Sequence, residues 1–194
     1  MRGTMALAGA AFIGLAGCAP SADTPPTKPE DASVTVSVPG PDRVIASGTL
    51  PTPELDGVAI TAGHWRHDVG PAGDAAVFVD TAGQTQFALR CDTAGHRLLF
   101  VRAVPAAAGG MLKIITGSGA ASFVARPRAF APGVMAAVPI DDSFISTALA
   151  RANGRIGVML TGSSAPGATL AIPANGAIAA VIGDCAGRSQ AQSS

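Results

Sequence analysis

The sequence predicts a mainly β domain of the α+β class. It is an antiparallel β-sandwich or barrel-like sheet with one mid-domain helix and a C-terminal helix, joined by one disulfide. Three observations predict it. Short runs of alternating apolar residues recur between Val58 and Ile172, separated by turns rich in Gly, Asp and Ser. The apolar period turns helical twice, after Asp142 and after Asn175. Two cysteines, Cys91 and Cys185, stand at the ends of this region, each on the apolar face of its predicted element.

The elements follow in order. Residues 58–67 read as a first strand that bends at Gly63, and 68–74 as a turn by composition. Three strands come next at close intervals, 75–79, 85–91 and 97–102. Both connections between them begin Asp-Thr-Ala-Gly, at Asp80 and at Asp92, so Gly83 and Gly95 are predicted to take the left-handed position of a hairpin turn. In the middle strand Phe87, Leu89 and Cys91 share the buried face, opposite Gln86, Ala88 and Arg90.

Residues 111–116 and 121–125 form a further hairpin around Gly117-Ser118-Gly119, and 134–138 a short strand. Asp141 or Asp142 caps a helix with Phe144, Ile145, Ala148 and Leu149 on one face, ended by Asn153-Gly154. Strands 155–161 and 168–172 pair across a turn at 162–167. Asn175 caps the closing helix, whose inward stripe is Ile178, Val181, Ile182 and Cys185.

The N-terminus carries an address. Arg2 precedes an apolar run at 6–15, the length of a signal-peptide core and too short to span a bilayer as a helix. The run ends in Leu15-Ala-Gly-Cys18, which resembles a bacterial lipobox. That resemblance implies a signal peptide at 1–17 and a lipidated Cys18 as the first mature residue. Ala19, in place of an aspartate, implies the outer membrane's periplasmic face. Residues 18–57 read as a lipidated cysteine and a flexible Pro-rich tether, with a root-mean-square reach of roughly 35 Å. Within it Ser33–Val38 alternates like a strand; it reads as extended linker, or else as an addition to the sheet edge. The single globular domain is predicted over 58–187 and a disordered tail over 188–194.

With Cys18 used for lipid, an even pair in an oxidising compartment reads as a disulfide between Cys91 and Cys185. In the chain-entropy account such a bond contributes about 4–5 kcal/mol at most. The chain holds 13 basic and 13 acidic residues, which argues against a nucleic-acid partner. About 135 residues beyond the tether suffice for one core.

The order Trp65, Leu89-Arg-Cys91, Asp142-Ser-Phe-Ile, Gly154-Arg-Ile-Gly-Val158, Leu170-Ala-Ile-Pro173 and Val181-Ile-Gly-Asp-Cys185 resembles small extracytoplasmic proteins and lipoproteins of Gram-negative bacteria. The periplasmic accessory family of type VI secretion systems is a distant relative of that pattern. The resemblance spans roughly residues 60–186 and implies a β-rich domain closed by a helix and a Cys91–Cys185 bridge. It brings no catalytic residues.

No chemistry-bearing motif stands out. His64, His67, Asp68 and His96 are the one metal-like set, but His64 and His67 point to opposite faces of a strand, so no metal or other cofactor is expected. Ser118 and Ser163 lack the setting of a hydrolase nucleophile. Arg126, Arg128, Arg151 and Arg155 bracket the second half of the domain and form a binding patch if they converge. The expectation is a non-catalytic, lipid-anchored periplasmic accessory or binding protein. Its partners are the membrane, through the lipid, and a protein or envelope component. The alternatives are a lipoprotein inhibitor of an envelope-directed enzyme such as lysozyme and, more distantly, a hydrolase.

Overall fold

The computed structural model describes residues 43–46, 48–104, 110–161 and 169–192. The segment 1–17 expected to be a signal peptide, Cys18, Ser33–Val38 and the turn expected at 162–167 lie outside them. Ten strands form one sheet: β1 (Arg43–Ile45), β2 (Gly63–Asp68), β3 (Ala75–Asp80), β4 (Thr85–Asp92), β5 (Arg97–Arg102), β6 (Gly110–Thr116), β7 (Gly119–Pro127), β8 (Val134–Pro139), β9 (Arg155–Thr161) and β10 (Thr169–Pro173). The order across the sheet is β10-β9-β6-β7-β8-β5-β4-β3-β2, and β1 adds to β7. All strand pairs are antiparallel. The sheet curls into a half-barrel, and helix α1 (Gly176–Gln192) closes the fold.

One segment reaches both edges of the curl. Ile60 bridges Ala171 of β10, and the Thr61 N–H donates to the Ala171 carbonyl at 2.8 Å. The chain then bends at Gly63 and pairs with β3 as β2. A side chain at 63 would place its Cβ 2.2 Å from the Val79 carbonyl oxygen, so only glycine allows the approach. From β2 the Trp65 indole N–H donates to the Pro173 carbonyl at 2.8 Å.

The inner face carries a row of rings. Trp65 meets Phe78 and Phe87 edge-on, Phe87 stacks on Phe100, Phe100 on Phe123, and Phe123 leans on Phe144, with centroids 5.5 to 6.3 Å apart. Phe100 and Phe123 meet across β8, whose Ala136 is paired with Phe100 and keeps the inner face low between them. Ile178, Val181, Ile182 and Cys185 of α1 join the same core, and α1 packs against β2 to β5. Cys91 and Cys185 form the disulfide. Ala75, Val77, Val79, Ala88 and Val101 make a second buried cluster on the opposite face of β3 to β5.

The structure corrects three boundaries. The described residues from Arg43, ahead of Val58, already belong to the fold: β1 pairs with β7, and the short 3-10 turn Pro53–Leu55 lies on the outer face of β9. Leu55 is fully buried over Gly157, where a Cβ would lie 2.7 Å from a Leu55 methyl. Arg155 holds this strap through the Leu55 carbonyl and the Thr52 hydroxyl, each at 3.1 Å, and Lys113 pairs with Glu54 at 2.7 Å. At the other end α1 runs through Gln192 with Ser189 buried, so 188–192 is helix and not tail. The mid-domain helix is shorter than its apolar pattern suggests. It is a single wide π-helical turn, Ile145–Leu149, closed by the Ala150 N–H on the Ile145 carbonyl and entered where Asp142 Oδ1 accepts the Phe144 N–H at 2.9 Å. Asn175 Oδ1 caps α1 in the same way through the Ala177 N–H.

The two Asp-Thr-Ala-Gly turns differ. Gly83 takes the left-handed conformation, as its position predicts, but in the second turn His96 does so, with φ of 49°. Gly95 is needed there for space, since a Cβ would sit 2.6 Å from an Asp92 carboxylate oxygen.

Because Leu55 fills the notch above Gly157, Leu55→Ala is expected to cost about 2–5 kcal/mol in urea unfolding. A chain starting at Val58 loses the same contact and is expected to show a comparable drop. Unchanged midpoints in both would mean that the strap contributes nothing to the domain.

Candidate functional site

Two places on the molecule gather functional groups. The first is a slot in the sheet between β7 and β8. Strand β7 pairs with β6 along Gly119–Ala125, but its other side has two partners in succession. Residues 119–121 pair with β1, and 125–127 with β8. Between them β7 and β8 diverge. By the alternation of antiparallel ladders, Ser122 and Val124 of β7 and Ala137 of β8 aim their main-chain groups into this gap. Among the described residues no strand pairs with them there.

The gap forms an open apolar cavity of about 590 Å³ lined by Met111, Phe123, Val124, Ala137 and Val138. Arg43 and Asp142 close its upper end with an ion pair at 2.6 Å. Its lower end is the Ala125–Ala136 pairing. Val124 is 66 % exposed and Met135, beside it on the outer face, 38 %. A second cavity of about 390 Å³ adjoins across Val124 and Ala137 and is edged by Arg97 and Arg126. Arg97 is held by Asp92 at 2.7 Å, whereas Arg126 forms no ion pair among the described residues.

The second place is a polar cluster beside the disulfide. Asp74 is buried at the start of β3, where the turn Gly70–Gly73 packs against Cys91. Its carboxylate takes the Gly70 N–H at 3.3 Å and the Arg188 guanidinium at 3.0 Å, and faces His67 Nε2 at 3.5 Å. Burial alone raises the Asp74 carboxyl. The Gly70 N–H, the Asp184 carboxyl, Arg188 and His67 outweigh it and hold it below the ordinary carboxylate value. Ligand atoms of His67, Asp74 and Asp184 lie within 4.8 Å of one another, so the set could hold a cation. Arg188 already occupies one Asp74 oxygen and also donates to the Gly70 carbonyl at 3.2 Å, so the cluster works as an ion-pair staple between α1 and the 68–74 turn.

The four arginines singled out in the sequence do not converge. Arg151 and Arg155 stand near the Gly119 end of β7: Arg151 lines a polar groove with Thr49, Ser118 and Asn153, and Arg155 clamps the strap. Arg126 and Arg128 stand at the other end of β7, about 23 Å away along seven extended residues. Arg128 donates to the Pro132 carbonyl in its own loop. Of the metal-like set, His64 and His67 lie on opposite faces of β2, and Asp68 pairs with Arg66 at 2.8 Å. His96 sits in the β4–β5 turn. Nothing in the sequence sets Asp74 and Asp184 apart, because they come from a turn and a helix far apart in the chain and only the tertiary fold brings them to His67. Arg102, buried behind the Gln86 and Ala103 carbonyls, has its guanidinium pushed down by burial to about 10, still cationic at neutral pH. No helix among the described residues is long and apolar enough to cross a membrane.

No protein family model, curated protein or solved structure matches the chain. The reading of the site therefore rests on its own geometry.

Asp74 titrates lower in the folded chain than its unfolded value of about 3.9. Its contribution to stability is complete above that value and is lost as pH falls through the folded value. Asp74→Asn is thus expected to lower the thermal midpoint at pH 7 and to flatten its decline between about pH 5 and pH 2. Thermal melts of both proteins across that range check this, and parallel curves would contradict it.

Proposed function

We propose that the protein is a lipid-anchored accessory protein of the cell envelope that binds a protein partner without catalysis. The observation that supports this reading is the apolar slot between β7 and β8, open to the outer face and bordered by main-chain groups with no strand opposite them. The polar groups that gather elsewhere are engaged with one another in structural pairs, such as Asp74 with Arg188 and Arg43 with Asp142. An open apolar floor with few polar groups at its rim suits recognition better than bond-making chemistry.

Anchoring follows from Leu15-Ala-Gly-Cys18. Acyl chains on Cys18 hold the domain to a membrane surface, with the outer membrane's periplasmic face as the proposed location. The order of strands, helices and cysteines that resembles small Gram-negative envelope proteins agrees with the same setting.

The native chain extracted from membranes is expected to be heavier than its residues by the mass of the acyl groups. Cys18→Ser is expected to move the protein from the membrane pellet to the soluble fraction. An unmodified Cys18 in membrane extracts would remove the anchor. A photo-crosslinking side chain at position 124 is expected to trap one envelope protein in cells, while the same group at exposed Val69 traps none. Equal labelling from both positions would count against a partner at the slot.

A further inference from the structure

We infer that the β7–β8 slot takes an extended peptide of a partner protein as an added strand, with apolar side chains on the peptide's inward face and a carboxylate opposite Arg126. This deepens the proposed binding function and rests on it.

Main-chain geometry selects the occupant. Ser122 and Val124 present an N–H and a carbonyl each on one side of the gap, and Ala137 presents both on the other; Pro139 has no N–H, and its carbonyl already accepts the Asp142 N–H at 3.2 Å. A helix satisfies its own main chain and leaves those groups dry and unpaired. A lipid tail offers them nothing. An extended peptide bonds both edges at once, antiparallel to one and parallel to the other, because its N–H and carbonyl groups alternate to left and right.

The size also fits a strand. From Ala121 to Ala125 the open edge of β7 measures about 13 Å, which seats roughly four residues. The floor is apolar, with Phe123 and Val138 beneath and Val124, Ala137 and Met111 at the sides. Peptide side chains that alternate toward the floor are therefore selected to be apolar.

Charge sets the chemistry at one end. Arg43 at the upper end is already paired with Asp142, whereas Arg126 at the lower end has no ion pair among the described residues. An acidic side chain or a C-terminal carboxylate placed there gains a charge-assisted contact. A basic one is repelled.

The test uses the chain from Cys18 onward, carrying Cys18→Ser, and the synthetic peptide fluorescein-Thr-Val-Thr-Val-Glu-amide, with binding followed by fluorescence anisotropy. Methylating alternate peptide nitrogens removes donors and leaves the side chains. Strand addition predicts that at least one of the two alternate methylation patterns weakens binding by roughly tenfold or more. Val124→Arg is expected to abolish binding, and Arg126→Glu to reverse the preference to a peptide ending in Lys. Binding that neither methylation pattern weakens would be side-chain docking without strand addition and would overturn the inference.

Failure of the peptide to bind would overturn it too. So would slow hydrogen exchange at the Ser122, Val124 and Ala137 amides in the free protein, since the slot would then already be filled. Slow exchange that is independent of concentration would assign it to the chain's own residues before Arg43, and concentration-dependent exchange to a second copy. The mass of lipidated Cys18 and the crosslinking pattern from position 124 are separate readouts, so the broader binding function stands or falls apart from this result.

Discussion

A sheet that curls without closing has to cover its concave face, and most of this structure follows from how that is done. Strands β2 to β5 turn Phe78, Phe87, Leu89 and Phe100 to one side, and α1 lies over them. A helix with only four inward apolar positions offers limited area for the purpose, since its outward face is Gly, Ala and polar residues. The Cys91–Cys185 bond adds a constraint that area alone does not supply. It ties the helix to the strand at the centre of that face and removes from the unfolded chain a loop spanning 94 positions. The Asp74–Arg188 pair lies one helical turn further along α1 and ties the same helix to the turn before β3. The two links are complementary: the covalent one survives acid, and the ionic one weakens as Asp74 is protonated.

The other half of the sheet is covered from outside. Leu55 occupies the volume that a side chain at Gly157 would take, and the strap it belongs to runs from β1 on β7 to Ile60 on β10. This path has a consequence for β7. By pairing β1 at one end and β8 at the other, β7 is left with a middle section that neither can reach. The ring of Phe123, seated on Phe144 beneath that section, keeps the floor apolar and solid while the main chain above it stays open. The slot is thus a product of register: two strands that each fit β7 do not fit each other.

Much of this was legible in the sequence because it is local. Alternation fixes the faces of β3 to β8, and Cys91 and Cys185 both prove to point inward because each shares a stripe with apolar neighbours. The Gly63 bend, the Gly83 turn and the Asn175 cap follow from the same short-range chemistry. What was not legible depends on partners distant in the chain. Thr52, Pro53 and Glu54 look like linker, and only the hole at Gly157 gives Leu55 a reason to be buried. The helix after Asp142 keeps its apolar face but loses its length. Its buried residues are packed by β7 and α1, and the chain leaves the turn as soon as Leu149 is covered. Arg126 carries nothing in its immediate sequence to set it apart from Arg128, Arg151 or Arg155. It differs in being delivered to the edge of the cavity that adjoins the slot, with its charge unspent on an ion pair among the described residues.

The distribution of charge gives the last step. Carboxylates and guanidinium groups are plentiful enough to build a reactive centre, yet the fold commits them pairwise to hold elements together: Arg43 with Asp142 across the head of the slot, Lys113 with Glu54 under the strap, Arg97 with Asp92 in a turn, Arg188 with Asp74 beside the disulfide. Exposed pairs of this kind contribute little each, whereas Asp142 and Asp74 are nearly buried, and removing either partner there leaves a charge without compensation. In the proposed peptide binding, specificity at the slot therefore cannot draw on these groups without loosening the fold. It has to come from main-chain hydrogen bonds, apolar shape and the charge of Arg126, which together favour a partner that arrives as an extended strand.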